Sequence, residues 1–388
     1  MIWEMMKLTM SIALFNVICL FFIVFISKAV EEKNLKSSLN VCKENNLITQ
    51  EGNDSKILII CFGIILFVEM AFRGDSTVDT IQNFDSFHNY FYFESDLLVN
   101  LQEYWNNEFG FRYIGYLVKK YFNNYLLFSS ITSFIIASSY SIFIKKYSKC
   151  KWMSMLVLLC SGSFYAGFNL HKQIIAAGLF ALCFSLIIKG KFKTYLLCVL
   201  GISLFHFSAI VLLPVYFFLR LRIRNKTNLL VSVTIFLILI FLFTPIINSF
   251  VGSVLFPEYM EEGAYRMNEG APLFTLIKLI VLPLYVLLNL NTIDFNDDKD
   301  RICVNGCIAC LVVAIASSRI YMLQRYTNYF IPYIMISYAT ILSKYKGKIR
   351  RTKAVEMCFL LILSNINPII HYDYYFFWNN QFRDFIGS

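Results

Sequence analysis

A chain of 388 residues that is 58% hydrophobic and only 15% charged, with a mean hydropathy of +0.60, does not have the composition of a water-soluble domain, which carries about a quarter charged residues. The net charge of +10 does not point to nucleic acid, because the Lys and Arg fall in short clusters between apolar runs, as in cytoplasmic loops of membrane proteins. Lipid admits such a chain if its backbone bonds itself, so the expected fold class is all-α. A polytopic transmembrane helical bundle of about eleven or twelve spans is predicted, with an outward-facing cavity, as a single membrane domain over residues 1–388.

The first apolar run, 8–26, is long enough to span, lacks a small-residue cleavage site and reads as the first helix. Further spans are predicted over 57–72, 125–144, 152–168, 174–188, 229–247, 273–290, 302–317, 326–342 and 354–370. The stretch 195–219 is long for one helix and short for two. With His206 and Pro214 inside it, a helix broken near its middle is expected. The 11 Cys are scattered, and no disulfide is expected. Cys303, Cys307 and Cys310 share a helical face and read as packing rather than as a zinc site. Aromatic residues, at 17%, suit interfacial belts and equally a sugar-facing cavity.

Basic segments at 28–56, 145–151, 189–193, 220–226 and 344–353 orient toward the cytoplasm. The stretch 195–219 must then begin and end on that side, as a tight hairpin or re-entrant element. Two loops fall on the opposite face, 73–124 and 249–272. The first carries Asp75, Asp79, Asp85, Glu94, Asp96, Glu103 and Glu108 among aromatics, and its apolar pieces at 90–93 and 97–101 read as interfacial helices. Acid-and-aromatic loops suit a carbohydrate ligand, and a solvated loop obeying the charge bias fits the same composition. The Asp-rich stretch 294–300 lacks the spacing of a calcium loop and reads as solvated. No internal repeat suggests a transporter with inverted halves.

Four local patterns follow in order: Arg73-Gly74-Asp75 leading to Asp79-Thr80 and then Phe84, Phe87 and Tyr90; Glu108-Phe109-Gly110-Phe111; His171-Lys172-Gln173 leading to Ala176; and Phe205-His206-Phe207-Ser208-Ala209. Arg325-Tyr326 with Tyr329-Phe330 forms a looser fifth. In this order the sequence resembles the EpsG/Wzy family of polysaccharide (O-antigen) polymerases from about residue 57 to 330. It departs from the family pattern at Lys172, where Arg is usual, and in lacking a Tyr after Asp79-Thr80.

The resemblance implies a metal-independent glycosyltransferase, similar to multi-span lipid-linked glycosyltransferases, in a bacterial inner membrane. A glycan on undecaprenyl pyrophosphate would pass to a sugar hydroxyl of a lipid-linked repeat unit at the periplasmic face. Membrane lipid and a chain-length regulator protein are the implied partners; no cofactor and no nucleic acid are expected. The alternatives are a flippase of the same lipid-linked unit and a membrane transferase that modifies the finished polymer.

A pyrophosphate leaving group calls for cations. Arg73, at the outer edge of a span, is a candidate, and an interfacial anchor paired with Glu69 is its plainer reading. Arg319 and Arg325 flank a short outer turn against the charge bias. Lys172 opens a span beside Gln173, as a phosphate ligand at a helix N-terminus or as a snorkelling side chain. Lys278, inside an apolar span, is a secondary pyrophosphate contact. The catalytic candidates are Asp79, otherwise a helix cap, and His206, otherwise a satisfied core residue. Asp75, Glu108 and Gln173 are assigned to the sugar.

Overall fold

The computed structural model describes residues 47–74, 78–89, 108–222 and 270–364. These residues are helical with no strand, as the composition requires. The predicted spans at 8–26 and 229–247, the pieces at 90–93 and 97–101, and nearly all of the 249–272 loop lie outside the described residues. Two helices, Tyr125–Tyr147 and His171–Ile188, are long and apolar enough to cross a membrane.

The helices are α1 (Leu47–Ala71), α2 (Val78–Asn89), α3 (Phe109–Phe122), α4 (Tyr125–Tyr147), α5 (Lys151–Cys160) and α6 (His171–Leu182, prolonged by Phe184–Ile188). After these come α7 (Phe192–Ser203), α8 (Leu212–Leu219), α9 (Leu273–Leu288), α10 (Asp298–Ala316), α11 (Ile331–Lys344) and α12 (Gly347–Ser364). Helix α4 packs between α1 and α6, while α11 packs against α10 and α5. Every residue of α11 from Ile331 to Leu342 is buried, the signature of a central helix. Its Tyr333 meets Phe180 and Phe184, and Phe180 in turn meets Tyr195, with ring centroids 5.6 to 6.4 Å apart.

Polarity is distributed for a lipid solvent. Thr132, Ser133, Ser154 and Asn305 are buried, whereas Ile57, Ile60 and Ile64 of α1 and Val355, Phe359 and Leu363 of α12 face outward. Their spacing of three or four residues makes one continuous apolar stripe on each helix. Helix α9 presents Leu273, Phe274, Ile277, Leu284 and Leu288 outward in the same way.

The described basic segments gather at one end. Lys149 pairs with Asp300 at 3.6 Å, Lys299 donates to the Tyr147 carbonyl, and Thr340 donates to Asp300. Asn305 donates to the carbonyls of Leu219 and Leu221, both at 2.9 Å, and Arg220 to those of Ile187 and Ile188. These bonds satisfy carbonyls that a helix C-terminus leaves unpaired.

The 195–219 stretch is a hairpin. Helix α7 ends at Ser203, His206 is extended (φ −154°), a 3-10 turn covers Phe207–Val211, and α8 runs back. Tyr195 Oη donates to the Leu212 carbonyl at 2.6 Å, and the Tyr195 and Tyr216 rings lie 4.9 Å apart. Pro214 sits in the first turn of α8, where a missing N–H is harmless, so the break falls before it.

Two predicted spans end differently. The 152–168 run breaks at Gly162, whose φ of 76° turns the chain out of α5. The 326–342 run becomes helical only at Ile331, where Pro332 stands in the first turn; residues Tyr321–Tyr329 before it are 3-10 helix. Helix α10 reaches α11 through Gly306, where an added Cβ would overlap the Tyr333 ring, whereas a Cβ at Gly201 meets open space. Gly306→Ala is therefore expected to destabilise the protein by about 1–3 kcal/mol and Gly201→Ala to leave it unchanged or slightly more stable. Thermal unfolding of the two variants in detergent checks this.

Candidate functional site

At the end of the bundle opposite the basic segments, the first turn of α6 is held by five other segments of the chain. The residue before it, Leu170, offers no side-chain cap. Asp79 of α2 instead accepts the backbone N–H of His171 at 3.1 Å. A carboxylate there also meets the positive end of the helix dipole. The His171 ring is buried and bonded on both nitrogens, Nδ1 to Arg73 Nη1 at 3.0 Å and Nε2 to Thr132 Oγ1 at 2.9 Å. The Thr132 hydroxyl donates to the Phe128 carbonyl, so it accepts from His171 Nε2–H, and Nδ1 accepts from Arg73. This pattern is that of a neutral imidazole. Arg73 is buried and donates also to Thr80 Oγ1 and the Met70 carbonyl, each at 3.1 Å. Burial raises the Asp79 carboxyl above its ordinary range, and the N–H of His171 offsets this only in part.

One residue on, Lys172 Nζ lies 2.6 Å from Glu108 Oε2, and His206 Nδ1 lies 2.7 Å from Glu108 Oε1. One carboxylate thus joins α6 to the tip of the α7–α8 hairpin. Burial works to raise the Glu108 carboxyl, but the Lys172 charge and the His206 hydrogen bond outweigh it and hold it at about 2. Glu108 precedes α3 with a left-handed backbone, φ 62° and ψ 51°. Two residues later Gly110 N–H donates to the Leu204 carbonyl at 2.7 Å, and an added Cβ would lie 3.1 Å from that oxygen. Phe111 fills the space beneath, its ring 6.2 Å from that of His171 and 5.5 Å from Lys172 Nζ.

A third contact leads to a cavity. Gln173 Nε2 donates to the Arg325 carbonyl at 2.9 Å. Arg325 lies in the 3-10 segment and lines a cavity of about 290 Å³ together with Lys278, Asn169, Gln324 and Asn328. Its wall includes Leu170, just before α6, and Ser161 and Gly162, where α5 turns.

The five motif segments therefore meet around a single helix end. Arg73, Asp79, Glu108, Lys172, Gln173, His206 and Arg325 join one network through His171, Lys172 and Gln173 of the first turn, and Lys278 faces the cavity beside it. Arg319 is exposed in the turn after α10 and is not among the residues lining the cavity. Asp75 lies outside the described residues. Sequence reasoning named His171 and Thr80 within the motifs without giving them a role, and it missed Thr132. The signal for His171 was its place beside Lys172 at the start of an apolar run, where an ionisable ring requires a partner. Nothing in the local sequence singled out Thr132, one of several Ser and Thr residues between 129 and 133 of its helix.

Glu108 also links folding to pH. Its carboxyl ionises at about 2 in the fold against an ordinary 4.5, so its contribution is complete above pH 4.5 and fades as pH falls toward 2. Between about pH 5 and pH 3 the wild type is expected to lose about 2 kcal/mol of stability that Glu108→Gln does not lose. Thermal melts at the two pH values check the difference in slope.

Comparison with known proteins agrees in extent with this convergence. The EpsG family model matches residues 56–382, a range that holds all five motif segments. No curated protein and no solved structure matches the chain. On that match the chain belongs to the EpsG family, a family of membrane proteins of polysaccharide biosynthesis.

Proposed function

We propose that this chain is a polytopic inner-membrane glycosyltransferase that polymerises lipid-linked saccharide repeats at the outer face of the membrane. The observation that carries the reading is the convergence of five separated motif segments on one network beside a polar, cation-bearing cavity. A flippase would need polar groups along a path, whereas these groups are concentrated at one end of the bundle.

In this reading the donor's pyrophosphate occupies the cavity against Lys278 and Arg325, whose charges stabilise it as it leaves. The acceptor's sugar hydroxyl attacks the anomeric carbon of the lipid-linked glycan. The bond from that carbon to the pyrophosphate oxygen breaks, its electron pair going to the pyrophosphate. The hydroxyl proton passes to His206. Asp79 is the weaker candidate for the base, since it already accepts the N–H of His171. Arg73, buried and bonded to Thr80, Met70 and His171, organises the network rather than meeting the lipid head group. The charge of Lys172 is met by Glu108.

Deleting the gene is expected to abolish the long surface-polysaccharide ladder while a single repeat stays on its lipid carrier. Loss of every repeat would speak for a flippase, and an unchanged ladder for a modifying enzyme. In the same assay Arg325→Ala and Lys278→Ala are expected to reduce polymer by about 100-fold or more with the protein retained in the membrane. Wild-type chain lengths in both variants would remove the cavity from the mechanism.

A further inference from the structure

Glu108 is held in an unusual way for a residue whose role is to touch a sugar. Its backbone is left-handed, a conformation that non-glycine residues adopt at a cost, and its neighbour Gly110 is tied to Leu204 at the hairpin tip. Both carboxylate oxygens face protein groups, one His206 and the other Lys172. An ionised carboxylate can only accept hydrogen bonds, so His206 Nδ1 must be the donor. The imidazole, when neutral, then carries its lone pair on Nε2.

We propose that Glu108 is the positioning residue of the transfer step: it fixes His206 in the Nδ1–H tautomer, with Nε2 presented to the acceptor hydroxyl. This rests on the reading of His206 as the base. Lys172 holds the second carboxylate oxygen and so fixes the carboxylate against the ring. As the hydroxyl proton moves to Nε2, the imidazolium that forms stays bonded to Glu108 and is stabilised by it.

Among the described residues, Glu108 touches the ring, Lys172 lies behind Glu108, and Asp79 and Arg112 lie around Lys172. The hydroxyls of Tyr326 and Tyr329 lie near Ser208, two residues further on.

The chain has 4 His, few enough for ¹⁵N-histidine NMR on the full-length protein in nanodiscs. The expected spectrum contains an imidazole with protonated Nδ1 and bare Nε2. That signal disappears in His206→Gln and reverts to Nε2–H in Glu108→Ala, which removes the acceptor, while the His171 signal, bonded on both nitrogens, reports that the fold persists. An Nε2–H ring at His206 in the wild type, or an unchanged tautomer in Glu108→Ala, overturns the proposal.

A second arm follows polymer formation in membrane vesicles, where Glu108→Ala is expected to lower kcat by about 10-fold or more with KM little changed. An unchanged kcat, or a loss confined to KM, overturns the positioning role. A wild-type protein that forms no polymer overturns the polymerase reading alone, and the tautomer measurement still decides the role of Glu108.

Discussion

The start of the helix at His171 is the constraint on which the rest of the site depends. A helix N-terminus leaves N–H groups without partners, and one buried within a helical fold must find them in the protein itself. This chain has no local cap at Leu170, so it brings Asp79 across from another segment. Fixing Asp79 fixes Thr80, and Thr80 receives Arg73. Arg73 then meets the His171 ring, which closes the circuit onto the same turn. The three residues that open the helix each reach a different part of the chain: His171 to Arg73, Lys172 to Glu108, and Gln173 to Arg325.

Polar groups in this setting are expensive to leave unpaired, so they come in closed sets. The Glu108 carboxylate, buried between a lysine and a histidine, is tolerable because both of its oxygens are bonded. The opposite end of the bundle follows the same rule with different groups, where Asn305 and Arg220 take the last carbonyls of α8 and α6. Between the two ends the contacts are mainly aromatic and aliphatic, with hydroxyls turned back on their own helix backbone, as at Thr132 and Ser337.

Much of the fold was legible because a bilayer imposes a plain rule on composition and length. The runs at 125–144 and 174–188 lie within the two long apolar helices, and the charge bias required the hairpin at 195–219. What was not legible came from backbone geometry. Gly162 ends a helix inside an apolar run, which hydropathy alone reads as continuous. The site was legible as a set of motifs in order, with Glu108, Lys172 and His206 each named separately. Their mutual contacts were not, because a sequence carries no sign that Lys172 and His206 share the carboxylate of Glu108, which lies 98 positions before His206. Lys172 was assigned to pyrophosphate on its charge and its place at a helix N-terminus, and its 2.6 Å contact with Glu108 is a purely three-dimensional fact.

The bond from Gln173 to the Arg325 carbonyl spans 152 positions, which bears on how the protein is made. A membrane chain is threaded into the bilayer from its N-terminus, so His171 and its capping carboxylate are in hand long before Arg325 is synthesised. Through that interval one wall of the cavity is missing, and the Gln173 amide has yet to meet its acceptor. The site is thus completed late in translation. A ribosome stalled before residue 325 leaves behind a half-built pocket that cannot surround a substrate.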